Sequence, residues 1–338
     1  MTAYAGFDVS DKLTTICVVD ADGMILKRDA APSDPAALAQ WLTRHCPDVV
    51  RVVLETGPLS TFLYHGLVER GVPVVCICAR HAKGVLSTRV NKSDAHDAEG
   101  LAQLCRTGWF KRVHMKASAT HIDRAALRIR SQLVDARIAM ANQLRGLLKL
   151  FGLRLGKVTT PNKRAERLAA LYGQRPDLEA LFAPLIAALE GIEQQLRRSA
   201  RALEQRAAAD PVASRLMTVP GVGPITALTY TASIEDPQRF ARSEDVGAYA
   251  GLVPRRNQSG ERDTRGHISK AGDPMLRRAL YEAANNLLSR VKRPFALQQW
   301  GRRIAETKGS KRARTAVARK LAVLLHSLWL NETEFRWA

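Results

Sequence analysis

The sequence predicts a mixed α/β domain at the N-terminus, then a long helical arm, then a helical C-terminal domain. Three observations predict it. Short β-rich segments punctuated by turn residues fall early, at 4–28 and 51–78. Two long tracts with apolar residues at steps of three and four follow. Basic residues crowd the remainder of the chain. The boundaries read as 1–112, 113–209 and 210–338.

In the first domain, 4–9 (YAGFDV), 14–19 (TTICVV) and 23–28 (MILKRD) read as strands, with Ala21-Asp22-Gly23 as a hairpin signal. A helix over 34–46, a strand at 51–55, a helix near 59–70, a strand at 73–78 and helices near 80–87 and 94–107 complete it. Three antiparallel strands followed by alternating helix and strand is the order of an RNase H-like fold, a mixed sheet with helices on both faces.

Ile122, Ala126, Ile129, Leu133, Ala136, Met140, Leu144 and Leu147 form one heptad-like seam. Phe182, Leu185, Leu189, Ile192, Leu196 and Leu203 form another. The stretch 153–175 between them, bracketed by Pro161 and Pro176, lets the chain reverse. Two antiparallel helices would make a coiled-coil arm, closing on itself or pairing with a second subunit. Beyond Asp210 the chain reads as helical, with a polar Gly/Arg-rich insertion at 255–272. Val219-Pro220-Gly221-Val222-Gly223-Pro224 resembles a helix-hairpin-helix turn, in which backbone N–H groups at a helix start hold a nucleic-acid phosphate. The plainer reading is a helical turn that needs two flexible residues.

The charge is unevenly spread. Of a net +20, residues 1–112 carry 13 Lys and Arg against 12 Asp and Glu, and the rest carries 39 against 20. Residues 251–320 alone hold 18 basic and 5 acidic side chains. A polyanion partner explains this, because each phosphate contact releases condensed counterions. Candidate contacts are Arg255, Arg256, Arg262, Arg265, Lys270, Arg277 and Arg278, with Gly221 and Gly223 at the glycine turn. The five cysteines lack zinc-type spacing and read as free thiols in a reducing cytoplasm. No apolar run is long enough to span a membrane, and MTAYAGFDVS does not read as a signal peptide.

Four carboxylates stand out. Asp8 ends the first strand in an apolar context, and a core-sheet carboxylate needs a partner. Glu55 ends the fourth strand. Asp94 and Asp97, three apart, share one helix face. In an RNase H-like fold the first and fourth strands are neighbours and a late helix crosses them, so the four could converge. Oxygen ligands so grouped suit hard divalent cations, and two Mg²⁺ ions (with Mn²⁺ as a substitute) can stabilise attacking and leaving oxygens in phosphoryl transfer. Each residue alone also has a plain reading: Asp94 as a helix N-cap, Asp97 as a solvated charge, Glu55 as a strand-end charge. Asp11, Asp20 and Asp22 read as hairpin and surface residues. Ser259, in Gln-Ser-Gly among arginines, reads on its own as a turn serine. As a nucleophile it is no better marked than Ser269.

Together GFDVS, LETG, NKSDAHDAEG, PGVGPITA and GLVPRRNQSG…RGHISKAGDPMLRRALY resemble the transposases of the insertion sequence one-ten family, which includes the Piv-type DNA invertases. The resemblance runs in order over nearly the whole chain. It implies a RuvC-like N-terminal domain whose Asp-Glu-Asp-Asp set, here Asp8, Glu55, Asp94 and Asp97, binds Mg²⁺. It also implies a coiled-coil arm and a C-terminal domain with a catalytic serine, here Ser259, that links covalently to DNA. The carboxylate site of one subunit is implied to work with the serine of another. The implied partners are element ends and target DNA, a structured bridge RNA encoded by the element, and further copies of the chain, dimeric or tetrameric when active. The implied location is the bacterial cytoplasm, with the nucleoid. Two departures are visible. Asp11 stands where family members often carry Lys, and Glu55-Thr56-Gly57 is one residue shorter than the usual Glu-Ala-Thr-Gly. Neither removes a proposed ligand.

Overall fold

A computed structural model describes residues 2–87, 93–158, 160–173 and 175–337. The chain divides into two compact units, Met1–Ala117 and Ser118–Ala338. The helices of the predicted arm and of the predicted third region belong to one unit.

The first unit is built on a five-stranded sheet in the order β3-β2-β1-β4-β5, from β1 (Ala3–Val9), β2 (Leu13–Asp20), β3 (Ile25–Pro32), β4 (Val49–Glu55) and β5 (Val74–Ile77). β1–β2 and β2–β3 pair antiparallel, while β1–β4 and β4–β5 pair parallel. This order and mixture fit an RNase H-like fold. Ala3, Ala5 and Phe7 alternate onto one face of β1 and pack with Leu38, Leu63 and Leu67 of α1 (Pro35–His45) and α2 (Ser60–Val68). The opposite face carries Val53 and Ile77 against Ala82 of α3 (Ala79–Leu86) and Leu101 and Leu104 of α4 (Asp94–Thr107). Both faces of the sheet are therefore covered.

Gly6 fixes how closely α4 lies on the sheet. A Cβ at Gly6 would stand 2.3 Å from both the Ala102 nitrogen and the Ala98 oxygen. Only a residue without a side chain lets helix and strand meet there.

In the second unit, α5 (Ser118–Leu150) and α7 (Pro176–Ala209) run antiparallel. Leu127 shares a core with Leu203 and Ala207, while Leu144 and Leu148 share another with Leu178, Phe182 and Leu189. Asp123 pairs with Arg206 at the first end, and Arg164 grips Glu193 with two 2.8 Å bonds at the other. On α7, Phe182, Leu189 and Leu203 of the predicted seam are buried and Leu185 packs beside them. On α5, Leu144 of the predicted seam is buried and Ala126, Met140 and Leu147 pack on the cores, but Ile122 and Ile129 are each 61% exposed, and Leu127 and Leu148, which the predicted seam left out, are buried. The contact within the chain thus keeps part of the predicted seam and uses Leu127 and Leu148 in place of its two isoleucines. The stretch 153–175 holds a further helix, α6 (Pro161–Tyr172), which the sequence reading passed over. Pro161 and Pro176 each occupy the first turn of a helix, where their missing N–H costs nothing.

The C-terminal part packs α8 (Pro211–Leu216), α9 (Pro224–Ile234), α10 (Asp245–Tyr249), α11 (Pro274–Ser289), α12 (Ala296–Lys308) and α13 (Ser310–Leu330) around one apolar core. Tyr230 lies at its centre, its hydroxyl donating to the Ala322 carbonyl at 2.7 Å. Arg124 of α5 and Asp273, the N-cap of α11, form a mostly buried ion pair at 2.7 Å. Burial pushes the Asp273 carboxyl up, but Arg124 and the Met275 and Leu276 N–H groups outweigh it and hold it below its ordinary value.

The expectation of a purely helical C-terminal domain is corrected. The insertion forms a hairpin, β6 (Pro254–Ser259) and β7 (Arg262–Ile268). Every residue of β6 is exposed, so no apolar face exists to give the alternation that marks a strand in sequence. Gly260, with φ at +55°, supplies the positive φ that a two-residue hairpin turn requires.

Candidate functional site

The carboxylate site starts from strand periodicity. Residues two apart on a strand share a face, so Asp8 points to the side of the sheet that Gly6 opens to α4. Glu55 follows Val53 onto that same side. Phe7 and Leu54 are opposite one another in the parallel β1–β4 pair, so Asp8 and Glu55 arrive together at the strands' C-terminal ends. Both line a cleft of about 330 Å³. Thr56 closes its rim. Its N–H donates to Ile77 O at 3.0 Å, and its hydroxyl accepts from the Ala79 N–H at 3.2 Å, tying the end of β4 to β5 and α3.

The direction of α4 brings the other two carboxylates to that end. Near the start of β4, Arg51 donates to the Cys105 carbonyl, and the Cys105 thiol donates back to Arg51 O at 3.2 Å. Further along β1, Gly6 meets Ala98 and Ala102. As β1 advances, the helix numbering falls, so α4 is antiparallel to β1. Its first turn, with Asp94 and Asp97, points past Gly6 toward the Asp8 and Glu55 end. Ser93, not Asp94, is the N-cap, its hydroxyl accepting from the His96 N–H at 3.3 Å. The plain N-cap reading of Asp94 is therefore corrected: Asp94 is the first helical residue, and it is exposed. Among the described residues, no three metal-ligating side chains stand close enough to hold an ion. The structure thus joins Asp8 and Glu55 in one cleft and directs Asp94 and Asp97 toward it without closing a cage. Asp11, read in the sequence as a hairpin residue, lines the cleft as well. Its position three residues beyond Asp8, in the β1–β2 turn, was the available signal.

The cysteines play no part here. Burial pushes the Cys76 thiol up to about 12, with Cys78 and Glu55 adding to it, and the buried Cys105 thiol up to about 11. Neither is a thiolate at neutral pH.

In the second unit Ser259 is the last residue of β6, opposite Arg262, and is exposed. Arg256 is clamped by Asp263 at 2.9 and 3.0 Å. Arg278 is held by Asp135 at 3.0 and 3.2 Å and by Glu282 at 3.2 Å. Arg277 donates to the carbonyls of Ala250 and Gly272. Of the predicted polyanion contacts, these three are thus partly committed to holding the fold, while Arg255, Arg262 and Lys270 are exposed. The side chain of Arg265 lies outside the described residues. Gly221 has a packing role: at φ +90°, its absent Cβ would stand 2.9 Å from the Ala283 carbonyl and from Leu287 of α11. Gly223 is the N-cap of α9 and faces open space.

Comparison with known proteins places this geometry. A DEDD transposase model of IS110-type elements matches residues 5–152, and a model described as Transposase IS116/IS110/IS902 family matches residues 213–300. The transposase for insertion sequence element IS1111A of Coxiella burnetii is 29% identical, over 98% of this chain and 90% of that protein. A Pseudomonas aeruginosa protein named "Probable family 20 transposase" is 31% identical, over 73% of this chain and 74% of that protein. The chain belongs to the IS110 family of transposases. The transposase for insertion sequence element IS1328 of Yersinia enterocolitica, 28% identical over 84% of each chain, is a further relative. Transposases cut and rejoin DNA, and the DEDD domain of this one fits dependence on a divalent metal ion. Among the described residues of the transposase, no helix is long and apolar enough to cross a membrane.

Proposed function

We propose that this transposase moves its element, or inverts a segment, by phosphoryl transfer shared between the RuvC-like carboxylate site and Ser259. The observation that carries the reading is the arrival of Asp8 and Glu55 at one sheet end, with the start of α4 directed toward them. The donors are all carboxylates, the set that hard cations take, so Asp8, Glu55, Asp94 and Asp97 would hold Mg²⁺, with Mn²⁺ as a substitute. When bound, the metal supplies charge neutralisation at the attacking and leaving oxygens of the phosphodiester.

Ser259 has the role of nucleophile. Its Oγ–P bond forms as the P–O bond to one sugar breaks. The serine proton leaves to a base, and the departing sugar oxygen takes up a proton. Rejoining reverses the exchange, with a sugar hydroxyl attacking the phosphoserine. Among the described residues no base is hydrogen-bonded to the Ser259 hydroxyl, and such contacts often tighten only when substrate binds. Arg255, Arg262 and Lys270 supply electrostatic attraction for DNA phosphates around it. Family resemblance and the basic C-terminal region together support a bridge RNA that selects donor and target by base pairing. The long α5–α7 arm, with Ile122 and Ile129 exposed, supports assembly into dimers or tetramers through a coiled coil. The glycine turn at Gly221–Gly223, with the open start of α9, supports a helix-hairpin-helix-like phosphate contact.

The alternative is a RuvC-like nuclease that uses the carboxylates and water alone. It needs only the carboxylate cleft, which the first unit builds from its own strands. A trapping assay separates the two. Purified protein is incubated with labelled element DNA, Mg²⁺ and RNA transcribed from the element's flank, then denatured. Label that migrates with the protein and vanishes in Ser259→Ala is the expected result. Free cleaved DNA, unchanged in the variant, would overturn the serine role.

A further inference from the structure

A cleft of about 690 Å³ opens in the second unit between the base of the β6–β7 hairpin and helices α12 and α13. That volume is within the range of ligand pockets. Its floor is apolar, from Leu252, Ile268 and Val323, and Trp300 forms part of its wall. Its rim is cationic: Lys311, Arg312, Arg319 and Lys320 come from α13 and Lys270 from beyond β7, with Glu244 the one carboxylate among the lining residues. Those five cations are exposed. No ion pair holds any of them among the described residues.

Two features of the backbone hold this arrangement. Gly301 lets α12 press onto α13, since a Cβ there would stand 2.6 Å from Val317 Cγ2 and 2.8 Å from Leu288 Cδ2. That contact sets the neighbouring Trp300 beside the basic face of α13. Lys270 adopts φ +52°, a left-handed conformation that costs a residue with a side chain about 1 kcal/mol. It is held there by its N–H bond to the Gly251 carbonyl at 3.1 Å and by the adjoining Ser269 N–H to Val253 O at 2.8 Å. These two bonds fix the Lys270 backbone at the mouth of the cleft.

The combination discriminates between nucleic-acid forms. A duplex offers a phosphate surface and keeps its base faces stacked inside, so an apolar floor and a tryptophan gain nothing from it. An unpaired nucleotide offers a base to stack and flanking phosphates to pair. We propose that this cleft takes an unpaired nucleotide of a nucleic-acid strand, its base beside Trp300 on the apolar floor and its flanking phosphates on the Lys270, Lys311 and Arg319 rim. The inference rests on the nucleic-acid role of this unit proposed above.

Fluorescence anisotropy with the full-length protein tests it, using short oligothymidine, short oligouridine and a mixed-sequence duplex at one fixed salt concentration. Trp300→Leu should weaken single-strand binding by about tenfold and duplex binding by less than about twofold, because one stacked base is lost. Trp300→Phe should restore most of the loss. Whichever single strand binds more tightly assigns the source as DNA or RNA. Equal losses on strand and duplex, or no loss on the strand, would overturn the proposal. So would a wild-type protein that binds duplex alone, although the recombinase reading would survive. Binding to neither form would sink both. A 5-iodouracil-bearing strand gives a measurement on the unmutated protein. Photo-adducts should map to peptides of α12 or α13, and adducts confined to other segments would refute the cleft.

Discussion

The two units solve the problem of presenting charge in opposite ways. In the first, Asp8, Glu55, Asp94 and Asp97 are carried by a sheet and a helix whose apolar sides are fully packed, so the backbone dictates where the charges go. In the second, Ser259 and most of the arginines around it ride on a two-stranded ribbon whose first strand is exposed throughout and whose inward contact is made by Ile268 at its far end. An isolated ribbon of this kind is marginally stable. Chemistry built on the first should be sensitive to packing, and chemistry on the second sensitive to whatever binds it.

The sharpest way to break this comparison is at Asp8. Asp8→Asn should lower DNA cleavage by about a thousandfold, the scale of losing a main electrostatic contact to the transition state. The melting temperature should be nearly unchanged, and a matching loss of fold would mean that the carboxylate is structural. Next comes Gly6→Ala, which forces α4 off the sheet and should cost about 3 kcal/mol or more of stability by denaturant titration. It should also lower cleavage, since it displaces Asp94 and Asp97. Full stability in this variant would refute the close contact.

In the second unit the corresponding test is the Arg124–Asp273 pair. Asp273→Asn should cost about 2–3 kcal/mol. Because Arg124 and backbone N–H groups hold the folded carboxyl below its ordinary value, the stabilisation is complete above about pH 4 and disappears as pH falls through the lowered value. Acid melts of the wild type should show that loss, and the variant should lack it. The smallest effect is expected at Ile129→Lys, where a 61% exposed side chain should change monomer stability by less than about 0.5 kcal/mol. Sedimentation of the same variant decides whether that stripe is an oligomer seam, in which case the assembly state shifts while the fold does not.

What could be read from the sequence follows from burial. The strands β1, β2 and β4 carry Val, Ile, Phe and Ala that pack on both sides of the sheet, so their identity and order were recoverable, as were the bounds of α4. The hairpin was not, because a strand exposed on both faces leaves no hydrophobic period to detect. On α5, Ile122 and Ile129 lie a heptad apart, as do Leu127, Val134, Ala141 and Leu148. Spacing alone cannot say which of two such stripes faces α7. Asp11 read as a hairpin residue because a turn aspartate is ordinary by composition, and only the fold places it at the cleft. The basic cluster Lys311, Arg312, Arg319 and Lys320 is visible in the sequence, but its meeting with Trp300 and Lys270 was hidden for a related reason. Lys270, Trp300 and Lys311 are dispersed along the chain and meet only through the packing of α12 on α13.

The orientation of α4 carries a consequence for the site before anything binds. Its peptide dipoles sum to a partial positive charge at the end where Asp94 and Asp97 sit, worth roughly 0.3–1 kcal/mol for each acidic group in the first turn. The helix dipole thereby offsets part of the repulsion between the two anions placed there. Neutralising both would fray the helix start and leave Asp8 and Glu55 as the remaining charges of the proposed site. In the proposed metal site, ligand donors and the charges that stabilise the helix start would be the same atoms, and an incoming cation would compete with the helix for them.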